Sequence, residues 1–238
     1  MTTPPSKPVP KPYLVRTALE EILTGLVEGD PVPSERDLAA RCGVARETVR
    51  QAVHELLVEG RIERRGRGTV ISKPKLVQPL SLKSYAEGAQ TMGRKPGRIL
   101  VGWDDIEATP ELAAALHIGA GTPAMHLERI LLADGQRIGL ESTYLAKHRF
   151  GQFSGTFDPT TSLYAAVRAS GVEFGSATER IETVLASPRE AALLECSTAM
   201  PMLRLQRRSV DTADRPIEVV RSLYRGDRVA FEALLTDR

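Results

Sequence analysis

The 238-residue chain lacks several features that would define its class at once. It has two cysteines, Cys42 and Cys196, which excludes a disulfide framework and is typical of a reducing compartment. We expect both to be buried apolar residues. No apolar run approaches the roughly 20 residues that span a bilayer, and the proline-rich start has no signal-peptide core. The sequence therefore predicts a soluble, cytoplasmic protein.

The patterns of metal sites and catalytic sites are also missing. No metal-ligand spacing and no Ser/His/Asp or Cys/His order connects the four histidines, His54, His117, His126 and His148. The segment Gly66-Arg67-Gly68 is too short to be a phosphate-binding loop. We therefore predict no metal, no cofactor and no catalytic residues.

The chain has little excess of either charge, with 32 Lys and Arg against 30 Asp and Glu. Residues 1–75 hold 13 basic against 10 acidic residues, a net +3, and residues 76–238 hold 19 against 20, a net −1. A length of 238 residues with 42% hydrophobic content suits one large or two modest domains. The division indicates a basic N-terminal part followed by a nearly neutral remainder.

What is present is a pair of short helices around Gly43. Ser34 precedes an acidic first turn and has Asp37 three residues on, so it is a predicted N-cap. Glycine tolerates the left-handed backbone of a tight turn, and Gly43 therefore ends this helix. The second helix has an apolar stripe at i, i+4, i+7 and i+8, namely Val49, Val53, Leu56 and Leu57. An earlier helix is predicted from the stripe Val15, Leu19, Ile22, Leu23 and Leu26.

A basic hairpin follows the second helix. The segment 61–75 carries six basic residues against one acid, Glu63. Its alternating residues on either side of Gly66-Arg67-Gly68 predict two strands whose glycines allow close backbone approach to a groove. Arginine suits guanine and phosphate, threonine suits phosphate, and glutamine suits adenine. The helices and hairpin together predict a DNA-binding head.

The motifs PSERDLA, GVARETVRQAV and LLVEGRIERRGRGT, in this order, resemble the winged helix-turn-helix of the GntR family of bacterial transcription regulators. The resemblance implies DNA contacts along the helix-turn-helix and at the wing tip, by Ser34, Arg36, Arg46, Glu47, Thr48, Arg50, Gln51, Arg65, Gly66, Arg67, Gly68 and Thr69. Glu47 has two interpretations. It accepts from a cytosine amino group, or it is a favourable charge at a helix N-terminus.

Beyond Arg98 the pattern changes to strands and repeats itself. A constant offset of 78 residues pairs Thr109-Pro110 with Ser187-Pro188, Pro123 with Pro201, Leu127 with Leu205 and Arg129 with Arg207. At an offset of 79, Ile138 pairs with Ile217. Each dipeptide is a capped helix start with proline in the first turn. We predict two half-units of strand, helix and hairpin in one antiparallel sheet, with a ligand cleft between them.

Residues 78–235 resemble the effector domain of the HutC subfamily of the same family, through LKSYAEGA, LERILLADG, LESTYLA, TTSLYAAV and VVRSLYRGDR. The most similar members sense aminosugar phosphates such as N-acetylglucosamine 6-phosphate. The resemblance implies that the anionic end of the ligand is held by Ser84, Tyr85, Arg129, Ser162 and Tyr164. It implies that the hydroxyls are met by Glu141, Glu218 and Tyr224. Alternatively, these two acids are surface charges and the tyrosines at 164 and 224 are core aromatics.

The predicted anion site has further alternatives. Ser84 is the expected N-cap of a helix running to about Met92. Either an anion sits at this helix N-terminus with the Ser84 hydroxyl and Lys83, or the hydroxyl only caps the helix. Arg129 is in phase with the apolar Leu127 and Leu131 and is the best single candidate. Phosphate-sensing relatives carry a second arginine where this chain has Leu131. Without that arginine, a phosphate loses about 1.5–3 kcal/mol of binding free energy, which lowers its affinity more than tenfold. The effector is thus a weakly held phosphosugar, an unphosphorylated sugar or another small anion.

The sequence therefore predicts an α+β protein with a winged helix-turn-helix and a chorismate-lyase-like (UTRA) antiparallel sheet domain. The expected divisions are a disordered tail over 1–12, a DNA-binding domain over 13–73, a linker over 74–79, and an effector-binding and dimerisation domain over 80–238. Its expected function is that of a repressor, which binds a pseudo-palindromic DNA operator as a homodimer and is released by a small effector. The alternative is an enzyme of chorismate-lyase-like fold fused to a DNA-binding head.

Overall fold

The computed structural model describes residues 11–236, so ten of the residues predicted to form a disordered tail lie outside this range. The chain divides into two compact units, Met1–Lys75 and Leu76–Arg238. Among the described residues, no helix is both long enough and apolar enough to cross a membrane.

The first unit consists of three helices and a hairpin. Its elements are α1 (Lys11–Thr24), α2 (Glu35–Cys42), α3 (Arg46–Val58), β1 (Ile62–Arg65) and β2 (Gly68–Ile71). Helix α1 begins two residues before the predicted start at Tyr13, because Pro12 is compatible with a first helical turn. The expectation of disorder is therefore wrong for residues 11 and 12.

Short-range signals define the helix-turn-helix. The Ser34 hydroxyl accepts a hydrogen bond from the backbone N–H of Asp37 at 3.3 Å, as predicted for an N-cap. Gly43 ends α2 with a left-handed φ of 64°. The stripe on α3 is buried at Val49, Val53 and Leu56 and packs with the apolar face of α1. Burial of this stripe fixes which face of α3 remains exposed.

Strands β1 and β2 form the predicted hairpin, in which Arg65 pairs with Gly68. Gly66 has a φ of 59°, a conformation that glycine adopts without strain. A bridge between Pro31 and Val70 ties the hairpin to the segment before α2. The hairpin tip is thus held beside the N-terminus of α2.

The strands of the second unit are β3 (Leu76–Pro79), β4 (Pro96–Glu107), β5 (Pro123–Ala133), β6 (Gln136–Ala146), β7 (Phe174–Leu185), β8 (Pro201–Asp211), β9 (Pro216–Arg225) and β10 (Val229–Glu232). Six of them form an antiparallel sheet in the order β4-β5-β6-β9-β8-β7. Its helices are α4 (Tyr85–Thr91), α5 (Pro110–Leu116), α6 (Lys147–Phe150), α7 (Leu163–Ala169) and α8 (Pro188–Leu194), with a 3-10 turn at Gly151–Phe153.

The predicted linker over 74–79 is wrong for most of its length. Leu76–Pro79 is strand β3, which pairs in parallel with β10. Leu76 is 2% exposed, and its backbone N–H donates to the carbonyl of Arg228 at 2.8 Å. Burial of Leu76 and this pairing make the segment part of the second unit.

The internal repeat is confirmed by the sheet. The units β4-α5-β5-β6 and β7-α8-β8-β9 meet at β6 and β9, so the order of the second mirrors that of the first. Both helices have hydroxyl N-caps with proline in the first turn, and both end at a left-handed residue, His117 or Glu195. One face of the sheet packs on α4, α6 and α7, and the other packs on α5 and α8.

Candidate functional site: a basic groove and a charged cavity

A groove in the first unit brings together α2, α3 and the hairpin. We call it the basic groove; it is lined by Val32, Pro33, Ser34, Glu35, Arg36, Arg46, Val53, Arg64, Arg67, Gly68 and Thr69. Four arginines face a single carboxylate there. Six of the predicted DNA-contacting residues lie in this lining, namely Ser34, Arg36, Arg46, Arg67, Gly68 and Thr69. The concentration of cations favours a polyanion.

Helix α3, which has the position of the recognition helix in a helix-turn-helix, carries a series of ion pairs at the edge of the basic groove. Arg50 contacts Glu47 at 2.7 Å and Glu35 at 3.5 Å. The Arg64 guanidinium donates to Glu35 at 3.0 Å and to the Thr69 hydroxyl at 2.9 Å. Bonding to Arg64 outweighs burial and lowers the pKa of Glu35, which therefore stays charged. These contacts orient the arginines, which remain more than half exposed.

Other predicted contact residues have different surroundings. Gln51 donates to Glu55 at 3.5 Å along α3, and Arg65 donates to Glu63 at 2.9 Å. Gly66 lies at the hairpin turn, and Thr48 is half-buried in the first turn of α3. Arg64 is a groove residue that sequence reasoning missed. Its place on an alternating strand just before the glycine-tipped turn is the signal that would have found it.

The second unit has a partly open cavity of about 60 Å³ against the sheet. We call it the sheet cavity; it is lined by Gln78, Pro79, Leu80, Lys83, Ser84, Tyr85, Arg98, Arg129, Glu141, Thr143, Leu163, Tyr164, Leu205, Arg207, Glu218, Val220, Ser222, Tyr224 and Phe231. The lining comes from both half-units, as the predicted cleft requires. It contains every predicted effector residue except Ser162.

Arg129 lies on the sheet face directly opposite Glu141 on β6. Its side chain is 4% exposed and forms an ion pair with Glu141. It also donates to the carbonyl oxygens of Pro159 at 3.3 Å and Thr161 at 3.1 Å. The Nε atom of Arg129 is buried without a hydrogen-bond partner. The interpretation of Glu141 as a surface charge is wrong, because it is the counter-ion of a buried arginine.

Glu218 lies at the bottom of a hydrogen-bonded network. The hydroxyls of Tyr164 and Ser209 both donate to it, the second at 2.9 Å. Burial raises the pKa of Glu218. Burial and then the charge of Glu218 raise the pKa of Tyr164, so this phenol keeps its proton and remains a donor. Glu218 is 2% exposed, so it too is not a surface charge.

Arg207 connects this network to the segment before α4. It donates to the Tyr164 hydroxyl at 2.8 Å, to the Ser81 carbonyl at 3.0 Å, and to the Glu179 carboxylate. Sequence reasoning had paired Arg207 with Arg129 through the repeat but did not assign it to the site. The repeat itself was the signal, because equivalent positions of two half-units face the cleft between them.

The remaining predicted effector residues have mixed roles. Ser84 forms a capping box with Glu87 at the start of α4, so the cap interpretation describes its present contacts. Ser162 likewise caps α7. Lys83 is exposed at the cavity, and Tyr224 is buried, with its ring packed edge-on against Phe231 at 5.2 Å. Burial raises the pKa of Tyr224 strongly.

Tyr85 is buried in the lining, but its hydroxyl is engaged by the sheet. It lies 2.6 Å from the Gly97 carbonyl and 2.7 Å from the Leu132 carbonyl. The ring instead supports the guanidinium of Arg98, whose Cζ lies 5.0 Å from the ring centroid. Arg98 is a second cavity residue that sequence reasoning missed.

Neither cysteine lines the basic groove or the sheet cavity. Cys42 and Cys196 are half-buried, so the expectation of full burial is wrong, and burial raises the pKa of Cys196. Over residues 11–236, no three His, Cys, Asp or Glu side chains are grouped as metal ligands.

A helix-turn-helix with a basic wing, followed by a second domain whose cavity is lined by charged side chains, is the arrangement of a DNA-binding transcription regulator with an effector domain. Family models agree with this class. Residues 15–71 match the bacterial regulatory proteins of the gntR family, and residues 91–230 match the UTRA domain. The chain therefore belongs to the GntR family and carries a UTRA domain.

Two relatives extend along nearly the whole chain. The chain is 47% identical over 235 residues to the transcriptional repressor PhnF of Mycolicibacterium smegmatis, covering 99% of this chain and 96% of the relative. It is 32% identical to the repressor NagR of Bacillus subtilis, covering 94% of each. The crystal structure of PhnF from Mycobacterium smegmatis superposes with a TM-score of 0.71 at 48% identity, covering 94% of this chain and 100% of that one. These relatives do not support the enzyme alternative.

Proposed function

We propose that the protein is a cytoplasmic repressor that binds a pseudo-palindromic operator as a homodimer and leaves it when a sugar or sugar phosphate occupies the sheet cavity. The two relatives described above are named as repressors. One winged helix makes a small interface. Two heads on half-sites about one helical turn apart therefore supply the affinity that specific binding requires.

The basic groove supplies the proposed DNA contacts. Arg36 has 81% of its side chain exposed, and Arg46 and Arg67 are also exposed. Their guanidiniums are available to phosphates without breaking a buried contact. Arg50 exchanges Glu47 for a base edge or phosphate, and Gly66 and Gly68 bring the wing backbone close to the duplex. Thr48 and Gln51 complete the surface of the recognition helix.

The observation that carries the switching part of the proposal is the continuity of the cavity wall with the head. The first unit ends at Lys75, strand β3 begins at Leu76, and Gln78 and Pro79 already line the sheet cavity. The next segment is held by an arginine of the cavity through the Ser81 carbonyl. A ligand in the cavity therefore contacts the stretch of chain that leads directly to the DNA-binding unit.

The size of the sheet cavity supports a change of this wall on binding. Its volume of about 60 Å³ accommodates a few water molecules or the head group of an anion. Typical small-molecule sites span about 300–1,000 Å³, so we expect the wall to open further around a sugar phosphate. The bound arrangement must be favoured by a few kcal/mol for the ligand to shift DNA binding.

The test of the DNA-binding assignment is a selection from a randomised duplex library, followed by titration of the selected sequence at several salt concentrations. We expect a palindromic sequence bound by two chains. Replacement of Arg50→Ala should weaken this binding at least tenfold and reduce the salt slope by about 0.9 if one phosphate contact is lost. Arg41→Ala is the matched control, because Arg41 lies in the same motif but lines a surface shared with α1.

The proposal also predicts release of the selected duplex by a ligand of the sheet cavity. Equal binding by wild type and Arg50→Ala would remove the recognition-helix assignment. Selection of no sequence over bulk DNA would remove the proposed operator. A cavity ligand that leaves DNA affinity unchanged would remove the switching role while leaving the head assignment intact.

A further inference from the structure

A single carboxylate in the basic groove connects the helix-turn-helix to the wing. Glu35 is the first residue of α2, and its side chain is 18% exposed. One of its oxygens accepts from the guanidinium of Arg64 on β1 at 3.0 Å, and the other lies 3.5 Å from Nε of Arg50 on α3. Two arginines from different elements therefore share one counter-ion.

The shared counter-ion matters because the two guanidiniums repel each other. Both side chains are more than half exposed, so water and salt weaken this repulsion without removing it. A carboxylate that contacts both groups offsets the repulsion. Glu35 thus keeps together two cations that would separate in its absence.

Glu35 has a fixed position because the backbone on either side of it is bonded. The hydroxyl of Ser34 caps α2, and the negative charge of Glu35 is favourable at this helix N-terminus. Just before the cap, the backbone N–H of Val32 donates to the carbonyl of Thr69 on β2 at 2.9 Å. The start of α2 is therefore tied to the wing, and Glu35 cannot simply follow one arginine away from the other.

Arg64 is held on its other side by the wing itself. It donates to the hydroxyl of Thr69, the residue directly opposite on β2, at 2.9 Å. Because this hydroxyl accepts the bond, it keeps its own proton for donation to a phosphate oxygen. Both residues line the basic groove. An exposed arginine held at two points in such a groove is oriented for a charge-assisted contact with a phosphate.

We propose that Glu35 is a positioning residue through which Arg50 and Arg64 engage the operator as one unit, with Arg64 bound to a phosphate beside the contact of Arg50. This inference rests on the proposed operator binding and extends it to two residues outside the expected set of DNA contacts. The carboxylate acts through the arginines, because its own charge is unfavourable beside phosphates. Orienting two long side chains in advance lowers the entropy that is lost on binding. Glu35 therefore increases the preference for the operator more than the affinity for DNA in general.

The first test compares wild type with Glu35→Gln in titrations of the selected operator and of a random duplex at equal salt. The variant should bind the operator about fivefold more weakly or worse, because the two arginines lose their orientation. It should bind the random duplex equally or more tightly, because a negative charge near phosphates is removed. Glu35→Asp keeps the charge on a shorter side chain and should recover part of the preference. Glu21→Gln, an exposed change on α1, is the matched control and should alter neither affinity.

The behaviour on the two duplexes separates positioning from other roles of Glu35. Damage to the fold would weaken binding to both duplexes and lower the melting temperature. Glu35→Gln should instead melt within about 4 °C of wild type, because its partners are exposed arginines. A carboxylate that only repels DNA would, once neutralised, allow tighter binding of both duplexes. Either of these two patterns overturns the proposal.

A double-mutant cycle tests the coupling between the arginines. Operator affinity is measured for Arg50→Ala, Arg64→Ala and the pair, first in the wild-type chain and then in Glu35→Gln. In the wild-type chain the combined loss should be about threefold or more below the product of the single losses. The reason is that Arg64→Ala leaves Arg50 as the arginine that neutralises Glu35, which weakens its contact with DNA. In Glu35→Gln the two losses should simply multiply.

The contact of Arg64 with a phosphate has its own measurement. Arg64→Ala should reduce the salt slope of operator binding by about 0.9, as expected for one lost phosphate contact. An unchanged slope and affinity would remove Arg64 from the interface and overturn the proposal, as would losses that multiply in the wild-type chain. Selection of no operator removes the proposed function and this inference together. An operator bound by two independent arginines removes this inference alone.

Discussion

The arginines of the two units occupy opposite environments. Arg36 and Arg50 in the head have 81% and 56% of their side chains exposed, whereas Arg129 and Arg207 in the sheet cavity have 4% and 12%. A surface ion pair contributes about 0–1 kcal/mol, so a head arginine exchanges its carboxylate for a phosphate at little cost. Removing one member of a buried pair costs about 3–5 kcal/mol, because the other charge is left without a partner.

This difference shows how arginine serves two purposes, one in the head and one in the sheet cavity. The head needs cations that many sequences of DNA can engage, with a salt-dependent affinity. The sheet cavity needs cations whose geometry is fixed in advance, so that only a ligand able to replace their partners binds. Variants that separate folding from binding test this contrast.

The largest expected effect is on the folding of the second unit. Arg207→Met leaves Glu179 without its buried partner and removes the donor to the Ser81 carbonyl, so we expect a loss of about 3 kcal/mol in the free energy of unfolding. Trp103 is the only tryptophan of the chain and packs on Phe157, so its fluorescence reports on this unit during urea unfolding.

The matched variant in the head is Arg67→Met. Its unfolding is followed by circular dichroism, because Trp103 lies in the other unit. It should change stability by less than about 0.5 kcal/mol, because Arg67 is exposed, and it should still weaken DNA binding. If the two variants unfold at the same urea concentration as wild type, the proposed difference between buried and exposed arginines does not hold.

A smaller effect concerns acid. Burial acts to raise the pKa of Asp211, but the backbone N–H groups of Arg215 and Ala213 and the guanidiniums of Arg149 and Arg215 together lower it to about 2. The ordinary value for Asp is 3.8. Because the folded pKa is the lower one, Asp211 contributes its full stability above about pH 4 and loses it as the pH falls towards 2. The contribution is about 2 kcal/mol.

The measurement is urea unfolding of wild type and Asp211→Asn, followed by Trp103 fluorescence between about pH 5 and about pH 2. Wild type should lose more stability with acid than the variant does. Glu173→Gln in the same unit is the control, since that residue is exposed and should affect the acid response little. Parallel curves for wild type and Asp211→Asn would show that this carboxylate does not titrate as argued.

Sequence patterns predicted the local structure of both units and many of the residues that line the basic groove and the sheet cavity. Capping residues, the glycine turn and the apolar stripe on α3 depend on near neighbours, so the head could be predicted closely. The repeat at an offset of 78 predicted two half-units in one antiparallel sheet, whereas their pairing through the last strands, β6 and β9, is seen only in the structure. Arg129 was found because an arginine in phase with apolar residues is conspicuous.

What sequence reasoning missed depends on register between strands. Arg98 reaches the sheet cavity only because β4 places it opposite Leu131, and no local pattern gives that pairing. The hydroxyl of Tyr85 is engaged by carbonyls far along the chain, which its own neighbourhood does not indicate. The strand β3 read as a linker because its partner, β10, is near the other end of the chain.

The smallest expected effect on stability concerns Glu47, for which both interpretations remain open. It lies in the first turn of α3, has 79% of its side chain exposed and pairs with Arg50 at 2.7 Å. Glu47→Gln should cost only a few tenths of a kcal/mol in stability, as for other exposed charges at helix N-termini and i,i+3 pairs.

The effect of Glu47→Gln on DNA decides between the interpretations. Loss of a negative charge beside phosphates frees Arg50, so we expect tighter binding to the selected operator and to random duplexes alike. Glu21→Gln, an exposed change on α1, should leave both affinities unaltered. If Glu47 instead accepts from a cytosine amino group, the variant will bind the operator more weakly by about 1–3 kcal/mol and lose its preference at one base pair. That result would show that the Glu47 carboxylate recognises a base of the operator, in addition to its place beside the phosphates.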